Sequence, residues 1–329
     1  LHGFPQTSHM WRHQIPVLAE RYKVYAPDTR GYGGTDKPRI RVTRDLLARD
    51  VIDLLDALEI PRVRLVGHDW GGIIAAAAAL KYPDRISRLC LIDTLVSVWI
   101  TWGIHGYWFK CEPDAEQFFE KHHRAFIRSV FANEARSYGG PPESPWAPVD
   151  GSAGSNALAE FDMTKAFSPA DVDHYADAFA DPGSWFHAVE YYRHALPFHV
   201  AKPDPTARDG VRFEFRSNPQ VAAMWKHPGL LFSHPDWAAN FMVFAPEDWH
   251  LRYPGPTCYL FSPFLVPQAF GDGKLPPDDY IPSGNPYADS FKHHFPDLRT
   301  RGALSGHFIP EEAQERTNEV LMGFLAGKI

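Results

Sequence analysis

The hydrophobic positions in the first hundred residues fall into short runs that predict buried strands. Three such runs, Lys23–Ala26, Arg62–Val66 and Arg88–Ile92, are each bounded by turn-forming residues. The first run is followed by a turn-rich stretch from Asp28 to Pro38. We therefore expect three strands buried inside a sheet.

Helical spacing fills the intervals between these strands. Thr43 is a good N-cap and Pro61 ends the first interval, so a helix is predicted between them. Its apolar residues recur in steps of four, three and four, at Leu47, Val51, Leu54 and Leu58. An alanine-rich helix follows the second strand and runs to about Tyr82. Strands alternating with helices predict a parallel sheet with helices on its faces.

The pattern changes after residue 98. Residues 99–252 are rich in aromatics, proline and histidine and show no alternation of strands, so we interpret them as an inserted, largely helical cap. Helices are predicted near 113–131, 169–180 and 183–195. Within the cap, 201–252 is an unusual insertion without a functional account.

Residues 253–329 return to the pattern of the core. We expect a strand at Pro256–Phe261, another near Leu298–Leu304 and a final helix at about 311–326. The predicted organisation is a core interrupted by a cap, with boundaries at 1–98, 99–252 and 253–329.

Composition and charge exclude several classes of function. The 329 residues carry a net charge of −7 without a cluster of Lys and Arg, so no nucleic-acid surface is expected. The longest apolar run, Ile73–Leu80, is far shorter than the ~20 residues of a membrane span, and we expect a cytoplasmic protein. The cysteines lie far apart and form no CxxC motif, so neither a disulfide framework nor a zinc site is expected, and the histidines are too scattered to predict a metal site. No organic cofactor is implied either.

The strongest chemical signal is Gly-His-Asp-Trp-Gly-Gly (67–72), between a predicted strand and a predicted helix. This is a nucleophile-elbow pattern, in which flanking glycines allow a strained turn that holds the middle side chain above the sheet. An aspartate there is ionised at neutral pH and needs no base to activate it, so Asp69 is the candidate nucleophile. The alternative is an ordinary Gly-rich turn whose aspartate caps the helix.

Two more residues follow predicted strands and would reach the same edge of the sheet. His307, in Ser-Gly-His-Phe-Ile-Pro-Glu-Glu (305–312), follows the last strand and is the candidate base. Asp93 ends the third strand and would orient the imidazole through its Nδ1–H. The other placement for the acid is the loop after Phe261, where Asp272 is the first carboxylate; we favour Asp93.

The early tetrapeptide His-Gly-Phe-Pro (2–5) completes the candidate site. In hydrolases with such an elbow, an early loop and the residue after the nucleophile each supply one backbone N–H to an oxyanion hole. The candidates here are Phe4 and Trp70.

Five motifs resemble, in order, the epoxide hydrolase and haloalkane/haloacetate dehalogenase branch of the α/β-hydrolase superfamily. They are His-Gly-Phe-Pro-Gln-Thr (2–7), Arg-Gly-Tyr-Gly-Gly-Thr-Asp (30–36), Gly-His-Asp-Trp-Gly-Gly (67–72), Tyr-Tyr-Arg (191–193) and Ser-Gly-His-Phe-Ile-Pro-Glu-Glu (305–312). The resemblance covers 1–98 and the C-terminal end well and the cap in patches. It implies an α/β-hydrolase fold, a mostly parallel sheet flanked by helices, with an inserted helical cap domain.

The resemblance also implies a two-step hydrolysis at saturated carbon. Asp69 attacks the carbon and forms an alkyl ester, and His307, oriented by Asp93, activates a water that hydrolyses this ester. In the cap, Tyr192 aligns with a tyrosine that donates a hydrogen bond to the leaving atom. Its partner is expected in the first cap segment, and simple packing is the alternative for every candidate. These candidates are His105, Tyr107 and Trp108.

Departures from the branch bear on the substrate. Haloacetate dehalogenases carry arginines where this chain has Trp70 and Ile73, and haloalkane dehalogenases usually carry asparagine where it has Phe4. We therefore predict hydrolysis of an epoxide to a diol, with a mostly apolar small molecule and water as the substrates. Dehalogenation is the alternative, and a catalytically silent binding protein on the same fold is a third. The sequence leaves the oligomeric state open.

The resemblance carries one expectation about the start of the chain. In the branch, a hydrophobic strand precedes His-Gly-Phe-Pro and lies between the strands that match 23–26 and 62–66, and two further strands come before it. Since the sequence begins at Leu1, we expect the natural protein to extend upstream. Direct pairing of 23–26 with 62–66 would contradict that expectation.

Overall fold

Helices and strands alternate in the N-terminal part of the molecule, as the sequence predicts. The computed structural model describes residues 1–97, 105–131, 166–207, 210–217, 219–221, 241–242, 246–266, 269–270, 273–281 and 286–329. After a 3₁₀ helix at Ser8–His13, the first elements are α1 (Ile15–Ala19), α2 (Arg44–Ala57), β1 (Val63–His68), α3 (Trp70–Lys81) and β2 (Ile86–Ile92). Thr43 caps α2 as predicted, because its hydroxyl accepts a hydrogen bond from the backbone N–H of Leu46.

The cap region contains helices and also a small antiparallel sheet. Its helices are α4 (His105–Trp108), α5 (Asp114–Phe131), α6 (Pro169–Ala178) and α7 (Pro182–Glu190), and a π-helical turn at Tyr191–Ala195 continues α7. Three strands, β3 (Phe198–Pro203), β4 (Val211–Arg216) and β5 (Phe241–Met242), follow and pair in the order β4-β3-β5.

The expectation that this region lacks strands is wrong for these three segments. The signal was present in β4, whose sequence Val-Arg-Phe-Glu-Phe-Arg alternates apolar and charged residues with the period of a strand. The aromatic-rich composition around it does not reveal this local period. The boundaries between core and cap stay predictions.

A parallel sheet forms the core of the described residues. The C-terminal elements are β6 (Thr257–Phe261), α8 (Pro286–His294), β7 (Leu298–Gly302), α9 (Ile309–Glu312) and α10 (Gln314–Leu325), so two helices replace the single one predicted at the end. The strand order is β1-β2-β6-β7, and every pairing is parallel. Because the carboxyl ends of parallel strands meet at one edge, the segments after β1, β2 and β7 converge there.

The segment Lys23–Ala26 does not form the strand that the sequence predicts. It is irregular, and it does not pair with β1. Instead Leu1 contacts that edge: its N-terminus donates to the carbonyl of Val66 at 2.6 Å, and its carbonyl accepts from the N–H of His68 at 3.1 Å. A strand needs a neighbour for its backbone ladder, and apolar composition alone does not supply one.

A groove of about 610 Å³ separates residues 22–30 from β1. Leu54 and Leu58 of the α2 region line it and are 37% and 40% exposed, so the predicted apolar stripe is not buried as a whole. The buried face of α2 is offset from that stripe and carries Leu47, Ala48, Val51, Ile52 and Leu55.

Two properties of the described residues bear on function. None of the helices there has the length and apolar character needed to cross a membrane. In the same residues, no group of three or more His, Cys, Asp or Glu side chains converges as a metal site.

Candidate active site

Asp69 stands on a strained turn between β1 and α3. Its backbone φ is +50° and ψ is −119°, a conformation that non-glycine residues rarely adopt. The turn is so tight that a Cβ on Gly67 would lie 2.2 Å from the carbonyl oxygen of Gly71. The N–H of Asp69 donates to the carbonyl of Ile92 at 3.1 Å, and the hydroxyl of Thr94 donates to the carbonyl of Asp69 at 2.5 Å. These contacts fix the side chain above the edge of the sheet.

Two backbone segments meet at the carboxylate of Asp69. The N–H of Phe4 donates to Oδ1 at 2.7 Å, and the backbone of Trp70, at the start of α3, contributes to the lowered pKa of the same carboxylate. Gly3 allows this approach, because a Cβ there would lie only 2.4 Å from the Cβ of Asp69. The two residues that the sequence nominated for an oxyanion hole thus meet at one carboxylate. That side chain is 20% exposed, so a small molecule can reach it.

The imidazole of His307 lies between two carboxylates. Its Nε2 is 3.3 Å from Oδ2 of Asp69, and its Nδ1 is 2.8 Å from Oδ2 of Asp93. The loop around it is held by Glu312, whose carboxylate accepts hydrogen bonds from the backbone N–H groups on both sides of the histidine. The Nε2 of His68 lies 2.8 Å from the carbonyl oxygen of His307. The ring is therefore fixed by its own contacts and by those of its backbone.

Asp93 is fully buried where β2 ends. Its φ of +37° turns the carboxylate towards His307, and Oδ1 accepts from the N–H and the hydroxyl of Ser262 at 2.9 and 3.0 Å. Asp272, the other candidate for the acid, lies outside the described residues. The geometry of Asp93 supports orientation of the imidazole.

The charges of these three residues are coupled. Burial alone would lower the pKa of His307, but the hydrogen bonds and charges of Asp69 and Asp93 outweigh it and raise that pKa to about 10. Burial opposes ionisation of Asp69, yet the contact with His307 outweighs it and leaves the pKa of Asp69 below its usual value. For Asp93, burial dominates and raises the pKa, while His307 and Ser262 offset part of this effect. These shifts favour a protonated His307 paired with an ionised Asp69.

Tyr192 lies in a cluster of aromatic rings that includes the rings of Trp70 and Phe4. Its ring centre is 5.1 Å from that of Trp70, 5.6 Å from that of Phe4 and 4.6 Å from that of Phe109. Phe4 and Trp70 are the residues whose N–H groups are expected to form the oxyanion hole. Tyr192 thus packs against both of them, and its place over the carboxylate of Asp69 stays a prediction.

Two of the other cap candidates pack against aromatic residues of the cap region. Tyr107 is buried and its ring is 5.0 Å from that of Phe198, and Trp108 packs 5.1 Å from Phe118 inside the cap. His105 begins α4, and its side chain lies outside the described residues. A role for these residues at a leaving group stays a prediction.

Several residues at the site have no signal in the sequence motifs. Ser262 binds Asp93, the ring of Phe264 is 4.8 Å from that of His307, and Phe109 packs against Phe4 and Tyr192. Ser262 and Phe264 follow β6, so their place at the carboxyl edge of the sheet is the one feature that could have indicated them.

A family model described as the alpha/beta hydrolase fold matches residues 1–176, more than half of the 329-residue chain. The solved structure of the epoxide hydrolase CorEH is similar with a TM-score of 0.64 at 20% identity, over 100% of this chain and 90% of that one. At this identity, the likeness shows the fold alone.

Curated relatives match a shorter stretch more closely. Epoxide hydrolase 4 from Homo sapiens is 43% identical over 95 residues, which are 28% of this chain and 26% of the relative. A fluoroacetate dehalogenase from a Burkholderia species is 40% identical over 100 residues, 29% of this chain and 33% of the relative. The match thus spans about a quarter to a third of the length of these relatives.

Proposed function

Since the chain belongs to the α/β-hydrolase fold family, we propose that it hydrolyses epoxides to diols through an ester on Asp69. The observation that carries this proposal is the carboxylate of Asp69, which accepts the N–H of Phe4 at 2.7 Å while Nε2 of His307 lies 3.3 Å away. An ionised carboxylate held in this way is suited to attack at saturated carbon.

In the first step, Oδ2 of Asp69 forms a bond to an epoxide carbon, and the carbon–oxygen bond of the ring breaks. Oδ1 stays bound to the N–H of Phe4, which leaves Oδ2 as the attacking atom. The ring oxygen takes its proton from the hydroxyl of Tyr192. The hydroxyl of the neighbouring Tyr191 donates to the carbonyl of Arg30 at 2.8 Å. The product is a hydroxyalkyl ester on Asp69.

Formation of the ester changes the protonation of His307. It removes the negative charge of Asp69, one of the two charges that raise the pKa of the imidazole. That pKa therefore falls, and the proton of His307 is released and replaces the one that Tyr192 gave up. A neutral imidazole, oriented by Asp93, then stands ready as a base.

In the second step, His307 takes a proton from a water, which attacks the ester carbonyl of Asp69. The N–H groups of Phe4 and Trp70 stabilise the oxyanion that forms. His307 returns its proton to the leaving alkoxide, and the diol is released. The remaining carboxylic proton passes to His307 and restores its ion pair with Asp69.

The surroundings of Asp69 favour a neutral, apolar substrate. Aromatic rings pack on the neighbours of this carboxylate, Tyr192 on Trp70 and Phe264 on His307, and within the described residues no arginine or lysine forms an ion pair with Asp69. Trp70 and Ile73 are buried at the positions where the resemblance would place arginines for a haloacid. An anionic substrate would therefore lack a cationic partner here.

Dehalogenation is the second candidate, and the Burkholderia relative at 40% identity favours it. The same first step would displace a halide in place of the epoxide oxygen, and no proton would be needed. The two candidates differ in their product, so one screen separates them.

The test is a parallel screen of neutral epoxides, haloalkanes and haloacetates with scoring of both diol and halide. Asp69→Asn should abolish turnover, and Asp53→Asn, which changes an exposed carboxylate on α2, is the matched control. Diol from neutral epoxides is the expected result. Halide without diol would move the function to dehalogenation, and binding without turnover would indicate a silent binding protein.

A further inference from the structure

The ammonium group of Lys110 is buried in the cap, where it holds three backbone carbonyls. Its Nζ donates to the carbonyl oxygens of Tyr192 at 2.6 Å, Leu196 at 2.5 Å and Arg193 at 3.2 Å. The residue is 2% exposed, and among the described residues the charged group that shifts its pKa is Arg193, not a carboxylate. Three N–H donors thus meet three acceptors, which is the full capacity of an ammonium group.

These carbonyls need an outside donor because a helix ends at them. The π-helical turn Tyr191–Ala195 continues α7, and the last carbonyls of a helix have no N–H ahead of them in the same helix. Pro197 has no N–H, so it cannot bond to Arg193 four residues back or to Tyr192 five residues back. A cation at a helix C-terminus is also favoured by the helix dipole. Lys110 supplies the missing donors from a distant segment of the cap.

The same turn carries Tyr192, the proposed donor to the leaving atom. The ring of Tyr192 packs against Trp70, which follows Asp69 in the chain, and against Phe4, whose N–H donates to the carboxylate of Asp69. Since Lys110 binds the carbonyl of Tyr192 itself, a shift of that carbonyl moves the Cα of the tyrosine and with it the hydroxyl.

We propose that Lys110 is a positioning residue of the active site, which fixes the turn that presents the hydroxyl of Tyr192 to the leaving atom. This proposal rests on the proposed function, from which it takes the role of Tyr192. Lys110 touches neither substrate nor water in this scheme and acts through the backbone of the turn.

The charges around Lys110 agree with a fixed geometry. Burial and the charge of Arg193 lower the pKa of Lys110 to about 7, so the ammonium form with its three donors is the form below that pH. Arg193 is in turn paired with Glu112 at 3.2 Å and with Glu116. The segment 110–116 therefore holds the turn in two ways. Lys110 binds backbone carbonyls of the turn, and the carboxylates of Glu112 and Glu116 bind the side chain of Arg193.

The test separates the two chemical steps in Lys110→Met, which keeps the apolar stem and removes all three donors. Rapid-quench mass spectrometry of the Asp69 peptide follows the ester with an epoxide that the wild type hydrolyses. Ester formation should slow by about 10- to 100-fold, because small displacements of a reacting group cost factors of this size. Ester hydrolysis uses His307, Asp93 and water, and should change by no more than about twofold.

A double-mutant cycle with Tyr192→Phe distinguishes positioning from a general loss of structure. Once the hydroxyl is absent, Lys110→Met should slow ester formation by no more than about a further twofold. Losses that multiply in the double variant would overturn the proposal. If Lys110→Met does not fold, Lys110→Gln, which keeps two donors without the charge, serves in the same cycle.

The outcomes separate this proposal from the function on which it rests. A wild type that forms no ester on Asp69 would overturn both. The role of Lys110 alone would be overturned by a different set of results. In that case the wild type forms the ester and Tyr192→Phe forms it slowly, but a folded Lys110 variant forms it as fast as the wild type.

Discussion

Asp93→Asn tests the protonation of His307, because Ser262 decides which way the new amide must face. Oδ1 of Asp93 accepts two hydrogen bonds from Ser262, whereas Oδ2 faces Nδ1 of His307 at 2.8 Å. An asparagine will keep its carbonyl oxygen towards the two donors and turn its NH₂ group towards Nδ1. Nδ1 must then accept, so the ring proton moves to Nε2, the atom that has to take a proton from water.

The size of the effect follows from the buried hydrogen bond that is lost. Bonds to a charged group contribute about 1.5–3 kcal/mol, which corresponds to a slowing of ester hydrolysis by about 10- to 150-fold. The wrong tautomer adds to this loss. Ester formation uses Asp69 and the leaving-group donor, and should change by no more than about twofold. The ester on Asp69 therefore accumulates in this variant.

Rapid-quench mass spectrometry of the Asp69 peptide measures both steps, since the ester appears as a gain in mass and hydrolysis as its loss. Asp272→Asn, at the other candidate acid, is the matched control and should behave as wild type. Hydrolysis at the wild-type rate in Asp93→Asn would refute the reasoning. If Asp272→Asn accumulated the ester instead, the role would pass to Asp272.

Three further predictions follow from the same geometry. Tyr192→Phe should slow epoxide opening more than halide displacement, because only the former needs a proton; equal losses with matched substrates would contradict its role. Gly3→Ala should reduce turnover by about 100-fold or more, as when an oxyanion donor is lost, because the new Cβ would lie 2.4 Å from the Cβ of Asp69. The control is Gly34→Ala, whose Cβ would meet one atom at 3.8 Å and which should keep wild-type turnover. The raised pKa of His307 stabilises the fold fully below pH 6.5, and this contribution is lost as the pH rises to about 10. The free energy of unfolding in urea should therefore fall more for the wild type than for His307→Gln between pH 6.5 and about 10. If the two free energies changed in parallel with pH, the raised pKa of His307 would be excluded.

The parts of the site that depend on short local motifs were accessible from the sequence. Asp69 needs a strand, flanking glycines and a helix, all within a few residues. His307 and Asp93 each follow a strand, and parallel strands bring their ends to one edge of the sheet. The fold class and the convergence of these three residues could be predicted for this reason.

Contacts that join distant segments were not accessible in the same way. Ser262 reaches Asp93 across 169 residues, and Lys110 reaches the carbonyl of Tyr192 across 82, with no periodicity to indicate either contact. The segment 23–26 was mispredicted for a related reason, since a strand depends on a neighbour that its own sequence does not encode. Local patterns therefore identify reactive groups, while the residues that position them become visible in the folded chain.

The central claim, an ester on Asp69 that water hydrolyses at its carbonyl carbon, is tested most directly by a single turnover in ¹⁸O-labelled water. Enzyme in excess over an epoxide substrate is digested after one turnover, and the peptide containing Asp69 is weighed by mass spectrometry. The proposed mechanism predicts that one ¹⁸O atom enters the carboxylate of Asp69 while the diol of this first turnover carries none. Label in the diol with an unlabelled Asp69 peptide would contradict the covalent mechanism, because water would then have attacked the substrate itself.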